Sequence, residues 1–237
     1  MKEQAKDTNV VEDSIIRTTG VTRCFPIAGQ EPFYALKGID ITIKRGQLVI
    51  LKGRSGSGKT TLLNILSALD KPSDGNVFFN EKNSSSLSAS ECEKLRRYQM
   101  GYIFQSVALV PMMTAYENVE FALRLADITE NRKERVEKCL HMVGLGERMK
   151  HMPYEMSGGE QQRVAIARAI AHNPKVIFAD EPTAELDTHT GLQVVKIFKN
   201  LVENEKVTII MTTHDTGLMD VGDMCLEMED GEIISVR

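Results

Sequence analysis

Apolar and polar positions repeat along this chain with two different periods, and the switching between them predicts an α/β protein with a largely parallel sheet. From about residue 15 to 43 the pattern is that of β-structure. Ile15-Ile16, Phe33-Tyr34-Ala35-Leu36 and Ile39-Asp40-Ile41-Thr42-Ile43 read as strands, with a turn at Gln30-Glu31-Pro32. Leu48-Val49-Ile50-Leu51 is a compact apolar strand that runs directly into a glycine-rich stretch. A helix starts near Lys59 and carries Leu62, Leu63, Ile65 and Leu66 on its apolar face. Asn76-Val77-Phe78-Phe79 predicts a short strand followed by a serine-rich turn at Ser84-Ser85-Ser86, and Tyr102-Ile103-Phe104 predicts another. Between about residues 106 and 155 the strand pattern stops. Segments 115–125 and 131–143 are helical with no strand between them, which predicts an inserted helical lobe rather than a second core. Strands resume at 176–179 and 207–212. The chain ends in a hairpin, 224–228 and 233–236, turned by Asp230-Gly231.

Composition narrows the class. The chain has 237 residues, 42% hydrophobic and 26% charged, enough to bury one core without staples. Net charge is −4, from 29 Lys and Arg against 33 Asp and Glu, which argues against a nucleic-acid binder with a dense basic face. Cys24, Cys92, Cys139 and Cys225 have neither disulfide-scaffold nor metal-ligand spacing, and the histidines form no close pair. Long apolar runs and the apolar stretch of a signal peptide are missing, so a cytoplasmic protein is expected, with any membrane role reached through a partner. The first thirteen residues are polar and expected to be loosely ordered.

The chemistry concentrates in a few short segments. Gly53-Arg54-Ser55-Gly56-Ser57-Gly58-Lys59-Thr60 matches G-x-x-x-x-G-K-[ST], with a strand before it and a helix after it. Glycines let successive backbone N–H groups converge on a phosphate chain at a helix N-terminus. Lys59 adds a positive charge for the β/γ-phosphates, and the Thr60 hydroxyl can ligate Mg²⁺. The apolar strand ending in Asp180-Glu181 supplies two acids at a strand's carboxyl end, where ligands sit in open parallel sheets. Adjacent residues point opposite ways, so Asp180 can face the metal and Glu181 the attacking water. His214 follows a second apolar strand and can reach a γ-phosphate. Met156-Ser157-Gly158-Gly159-Glu160, opening a further helix, makes a second anion site by the same physics.

Together these segments resemble the nucleotide-binding subunit of an ATP-binding cassette (ABC) transporter, from Ile15 to Arg237. Residues 53–60 resemble the Walker A loop and Asp180 with Glu181 the Walker B end. Ser157-Gly158-Gly159-Glu160 resembles the signature loop, Gln105 the Q-loop glutamine, Ala184-Glu185-Leu186-Asp187 the D-loop and His214 the switch histidine. The resemblance implies one domain with a P-loop NTPase (RecA-like) core, an N-terminal antiparallel β region and a helical lobe over about 106–165. It implies ATP and Mg²⁺ as ligands, with Glu181, His214 and Lys59 in hydrolysis. Phe25, Gly53, Ser55, Gly56, Ser57, Gly58, Thr60, Thr61, Gln105, Asp180 and Asp187 would bind nucleotide, and Thr60, Gln105 and Asp180 would hold the metal. Two subunits would close head to tail, Ser157-Gly158-Gly159 of one covering ATP on the other, and drive an integral membrane permease from the inner face of the membrane. The run Leu109-Val110-Pro111-Met112-Met113 follows Gln105 where the family docks the permease.

Two positions depart from the usual signature Leu-Ser-Gly-Gly-Gln: Met156 and Glu160 replace its first and last residues. The long interval between Phe25 and Ala35, and Asp187-Thr188 after Leu186, are similar to the branch serving macrolide export, lipoprotein release and antimicrobial-peptide resistance. An importer subunit, for instance for amino acids, and a soluble mechanical ATPase on the same cassette are the alternatives.

Overall fold

The computed structural model describes residues 13–237, so the expectation about the N-terminal tail concerns residues outside those described, Asp13 apart. Along the chain come β1 (Ser14–Phe25), β2 (Phe33–Ile39), β3 (Thr42–Lys44), β4 (Leu48–Gly53), α1 (Lys59–Leu66), β5 (Asp74–Phe79), β6 (Lys82–Asn83), α2 (Ala89–Gln99) and β7 (Met100–Ile103). They are followed by α3 (Ala115–Leu125), α4 (Arg132–Met142), α5 (Gly158–Ile170), β8 (Val176–Ala179), α6 (Thr188–Glu205), β9 (Thr208–Thr213), β10 (Met224–Glu229) and β11 (Glu232–Val236). Two compact units result: one from the residues up to Lys94 together with Thr212–Arg237, the other from Leu95–Met211.

In the first unit, β1 is the organising strand. It pairs antiparallel with β2, β3 and β5, and its register slips within each of the three pairings. The predicted strand through Ile39 and Ile43 is interrupted at Asp40-Ile41. There Thr18 Oγ1 donates to the Ile39 carbonyl (2.8 Å) and accepts from Ile41 N (2.9 Å), and Asp40 accepts from Gly20 N (2.8 Å). Side-chain bonds thus replace ladder bonds and let the chain change partner. A tight turn at Asn80-Glu81, both at positive φ, follows β5, and the predicted turn at the serines comes after β6, where Leu87 N donates to Ser84 O (3.3 Å). Ser84 and Ser85 also bond the Val77 backbone. β4 runs parallel to β10, which pairs antiparallel with β11. Leu48, Val49, Ile50 and Leu51 are all fully buried, as expected of a strand covered on both faces.

In the second unit, β7, β8 and β9 pair in parallel, and the chain leaves the unit within β9 after Met211. Every residue of β8 is buried. No strand lies between β7 and β8 among the described residues; α3, α4 and α5 fill that interval. α5 buries Val164, Ala165, Ile166 and Ala167 in succession, so it is covered nearly all round, against α3 and α4.

Candidate functional site

The first unit carries a cradle built from β4, the loop after it and the start of α1. α1 begins at Lys59 with Gly58 as its N-cap, and Gly58 has φ +102°. A Cβ there would approach the Ala35 carbonyl oxygen to 2.5 Å, so only glycine fits both the backbone angle and the space. Lys59 is 5% exposed, and its ammonium donates back across the loop to the carbonyls of Gly53 (2.9 Å) and Arg54 (3.1 Å). The Ser57 hydroxyl is buried and has no hydrogen-bond partner among the described residues. Buried polar atoms are seldom left in that condition outside functional sites. The loop is propped from behind by the terminal hairpin: Gly231 N donates to Ser57 O (3.1 Å), and Lys37 N donates to Gly231 O (2.9 Å). Asp230-Gly231 therefore turns a hairpin and also supports the cradle, a role its local sequence does not reveal.

An open cavity of about 710 Å³ lies beside this loop, lined by residues 52–57, His214 and residues of β10 and the hairpin turn. Thr60 and Thr61 lie in the first turn of α1, Thr60 exposed. His214 is exposed directly after β9. Phe25 ends β1 and is 39% exposed, so it is not a core residue; the Arg23 guanidinium lies 4.6 Å over its ring. Arg23 is itself held by Asp70 at 2.9 Å.

The second unit carries the other motifs. Asp180 follows β8, is 8% exposed, and its N–H donates to the Ile103 carbonyl (2.9 Å). Burial, and secondarily the Asp180 charge, raise the pKa of Tyr102 above its ordinary value. Glu181 adopts φ +43°, unusual for a residue with a side chain and more so before Pro182. Such strain persists only where the surroundings enforce it, and it is concentrated at functional sites. Asp187 caps α6, accepting from Thr190 N (3.0 Å) and the Thr190 hydroxyl (2.6 Å), which lowers its pKa. Gln105 is exposed in the loop after β7.

Ser157 caps α5 through a capping box. Its hydroxyl accepts from Glu160 N (3.3 Å) and donates to Glu160 Oε2 (3.0 Å), which also accepts from Ser157 N (2.8 Å). Gly158 has open space where a side chain would stand, and a Cβ on Gly159 would collide with Thr190. Two residues that sequence reasoning missed fix the loop after Gln105. Asn118, buried, accepts from Val110 N (2.8 Å) and donates to the carbonyls of Val110, Met113 and Thr114. Arg168 donates to Ala108 O (2.6 Å) and Val107 O (3.2 Å). Met112, at the crest of the pinned loop, is 84% exposed.

The model of the ABC transporter family matches residues 36–184. The ABC transporter ATP-binding protein MJ1508 of Methanocaldococcus jannaschii is 47% identical over 210 residues, 88% of this chain and 93% of that protein. The macrolide export ATP-binding/permease protein MacB of Bartonella henselae is 44% identical over 224 residues, 94% of this chain but 34% of MacB. Among solved structures, a dimer of the ATP-binding cassette MJ0796 in a post-hydrolysis state with ADP and Pi superposes with a TM-score of 0.84 at 38% identity. It covers 94% of this chain and 97% of that one.

Proposed function

This chain belongs to the ABC transporter family as an ATP-binding, ATP-hydrolysing cassette, and we propose that it drives an export-type membrane permease by closing as a dimer around two ATP molecules. The observation that carries the site assignment is the preformed cradle: Lys59 drawn across the Gly53 and Arg54 carbonyls with the buried Ser57 hydroxyl left unpartnered. A phosphate chain would give that hydroxyl an acceptor and the ammonium an anion, while the loop N–H groups and the N-terminus of α1 attract the same charge.

The roles follow from chemistry. Gly53, Ser55, Gly56, Ser57 and Gly58 present backbone N–H groups, and Lys59, Thr60 and Thr61 supply side chains to the phosphates. Phe25 offers its face to the base. In the second unit Asp180 and Gln105, and in the first Thr60, are oxygen donors of the hard kind Mg²⁺ takes. Bound Mg²⁺ would neutralise phosphate charge. Glu181 accepts the proton of the attacking water, and His214 donates toward the γ-phosphate. Ser157, Gly158 and Gly159 close over the nucleotide held by the second copy, and Asp187 orders the start of α6, whose Thr190 lies against Gly159.

Support for export comes from the similarity to MacB, whose name states macrolide export and a permease. No helix among the described residues is long and apolar enough to cross a membrane. The pinned loop with exposed Met112 is the surface proposed for the permease, which would hold this subunit at the inner membrane face.

The test is size-exclusion chromatography of Glu181→Gln with Mg-ATP and with Mg-ADP. The substitution keeps size and hydrogen bonding but cannot accept a proton. General-base catalysis is worth about 10²–10⁴ in rate, so hydrolysis collapses while binding holds. An ATP-dependent shift to dimer, absent with ADP and abolished by a bulky residue at Ser157, is expected. A variant that stays monomeric with ATP and hydrolyses at the wild-type rate refutes the proposal.

A further inference from the structure

The signature loop of this chain carries a full negative charge where the family pattern has a neutral glutamine. Glu160 lies in the first turn of α5, and its carboxylate is fully engaged. Oε2 accepts from both the N–H and the hydroxyl of Ser157. Oε1 faces the Nε of Arg148 at 3.5 Å. The Ser157 bonds first, then the charges of Arg148 and Arg163, hold the Glu160 carboxyl below its ordinary pKa, so it is ionised.

Arg148 is well placed for this. It ends a single 3₁₀ turn, Gly146–Arg148, and its backbone is fixed on both sides, donating to Leu145 O and accepting from His151 N, each at 3.0 Å. Its second guanidinium branch donates to His151 Nε2 (3.0 Å). His151 O in turn accepts from Ala115 N at the start of α3 (2.9 Å), which ties the segment to the lobe.

A lone carboxylate in this turn would stabilise the helix and at the same time repel any anion approaching the same N–H groups. It would also compete for the Ser157 hydroxyl proton, since a charged acceptor binds it more strongly than a neutral one. We propose that Arg148 is a positioning residue of the signature loop, neutralising Glu160 so that the N-terminus of α5 stays attractive to the γ-phosphate of ATP held by a second copy. The proposal rests on the dimer reading above. It makes Arg148 and Glu160 one functional unit, in which the arginine matters because of the glutamate.

The experiment is a double-mutant cycle in the Glu181→Gln background at low ionic strength, reading the ATP concentration that gives half-maximal dimer. Arg148→Ala is expected to raise that concentration about two- to fivefold per site, the range for one charge at a helix terminus. Adding Glu160→Gln to Arg148→Ala should restore the value of Glu160→Gln alone, and Arg148→Lys should stay close to the parent. Salt near 1 M should shrink the Arg148→Ala effect, because the pair is half-exposed and screened. If Arg148→Ala does not fold, Arg148→Gln takes its place in the cycle. An unchanged ATP requirement, or a loss of equal size with and without Glu160→Gln, overturns the assignment, since a purely structural arginine would behave that way. Failure of the parent to dimerise at all overturns the dimer reading and this proposal with it.

Discussion

At the scale of single residues, Lys59 holds a charge in a place 5% exposed, supported by the carbonyls of Gly53 and Arg54. Those dipoles position the ammonium for an anion and offer no substitute once it is removed. Lys59→Ala is expected to abolish ATP binding, measured by titration with a fluorescent nucleotide; affinity and turnover near wild type would sink the cradle reading. Phe25 is a second case. Base–aromatic stacking contributes about 1–3 kcal/mol per base and reads a π-face rather than an edge, so Phe25→Ala should weaken ATP binding about 5–150-fold, and the wild type should discriminate poorly between ATP and GTP. An unchanged dissociation constant would move the base elsewhere. The residues proposed for phosphate and metal could be named from the sequence because those ligands demand particular residue types at fixed spacing. Asn118 and Arg168 were not, because an asparagine or arginine in a helix looks like an ordinary polar position until the carbonyls it meets are known.

At the scale of elements, α2 escaped the periodicity because its only buried residue is Cys92. The Ser88-x-x-Glu91 capping box was the available signal, with Glu91 Oε2 accepting from both the N–H and the hydroxyl of Ser88 at 2.8 and 2.6 Å. α6 was not named from the sequence either, although Val194, Val195, Phe198, Leu201 and Val202 lie buried along it after the Asp187 cap. The junction of α5 with β7 yields a pH prediction. His172 lies behind α5 with Nε2 3.0 Å from the Met100 carbonyl. Burial lowers its pKa from the ordinary 6.5, opposed by that hydrogen bond and assisted by Arg135. With the folded value depressed, the unfolded chain binds the proton first as pH falls. The stabilisation is therefore present above about pH 6.5 and lost as pH drops from there through the folded value. Urea midpoints at pH 7.5 and 5.5 should fall more for wild type than for His172→Gln, and equal losses would remove His172 as the cause.

For the whole molecule, a ligand that binds only the folded state stabilises it by mass action, about 2.7 kcal/mol at 100 times its dissociation constant. Mg-ATP should therefore raise the thermal midpoint of the wild-type chain, and Lys59→Ala should lose the rise while keeping its ligand-free midpoint within a few degrees. A rise of equal size in the variant would place the stabilising site elsewhere. The sequence by itself determined the α/β class, most of the strands, helix α1 and the helical interval between β7 and β8, and it singled out the segments proposed for phosphate chemistry. Those depend on side-chain period, glycine tolerance and the charge of neighbouring residues, all of which are local. Tertiary structure decided what distant partners impose: the break between β2 and β3 made by Thr18 and Asp40, the support of Ser57 by Gly231, the exposure of Phe25, the pinning of the loop after Gln105, and the pairing of Arg148 with Glu160. Each of these is a contact between groups whose own neighbours in sequence carry no information about the other, so only the folded chain brings them together.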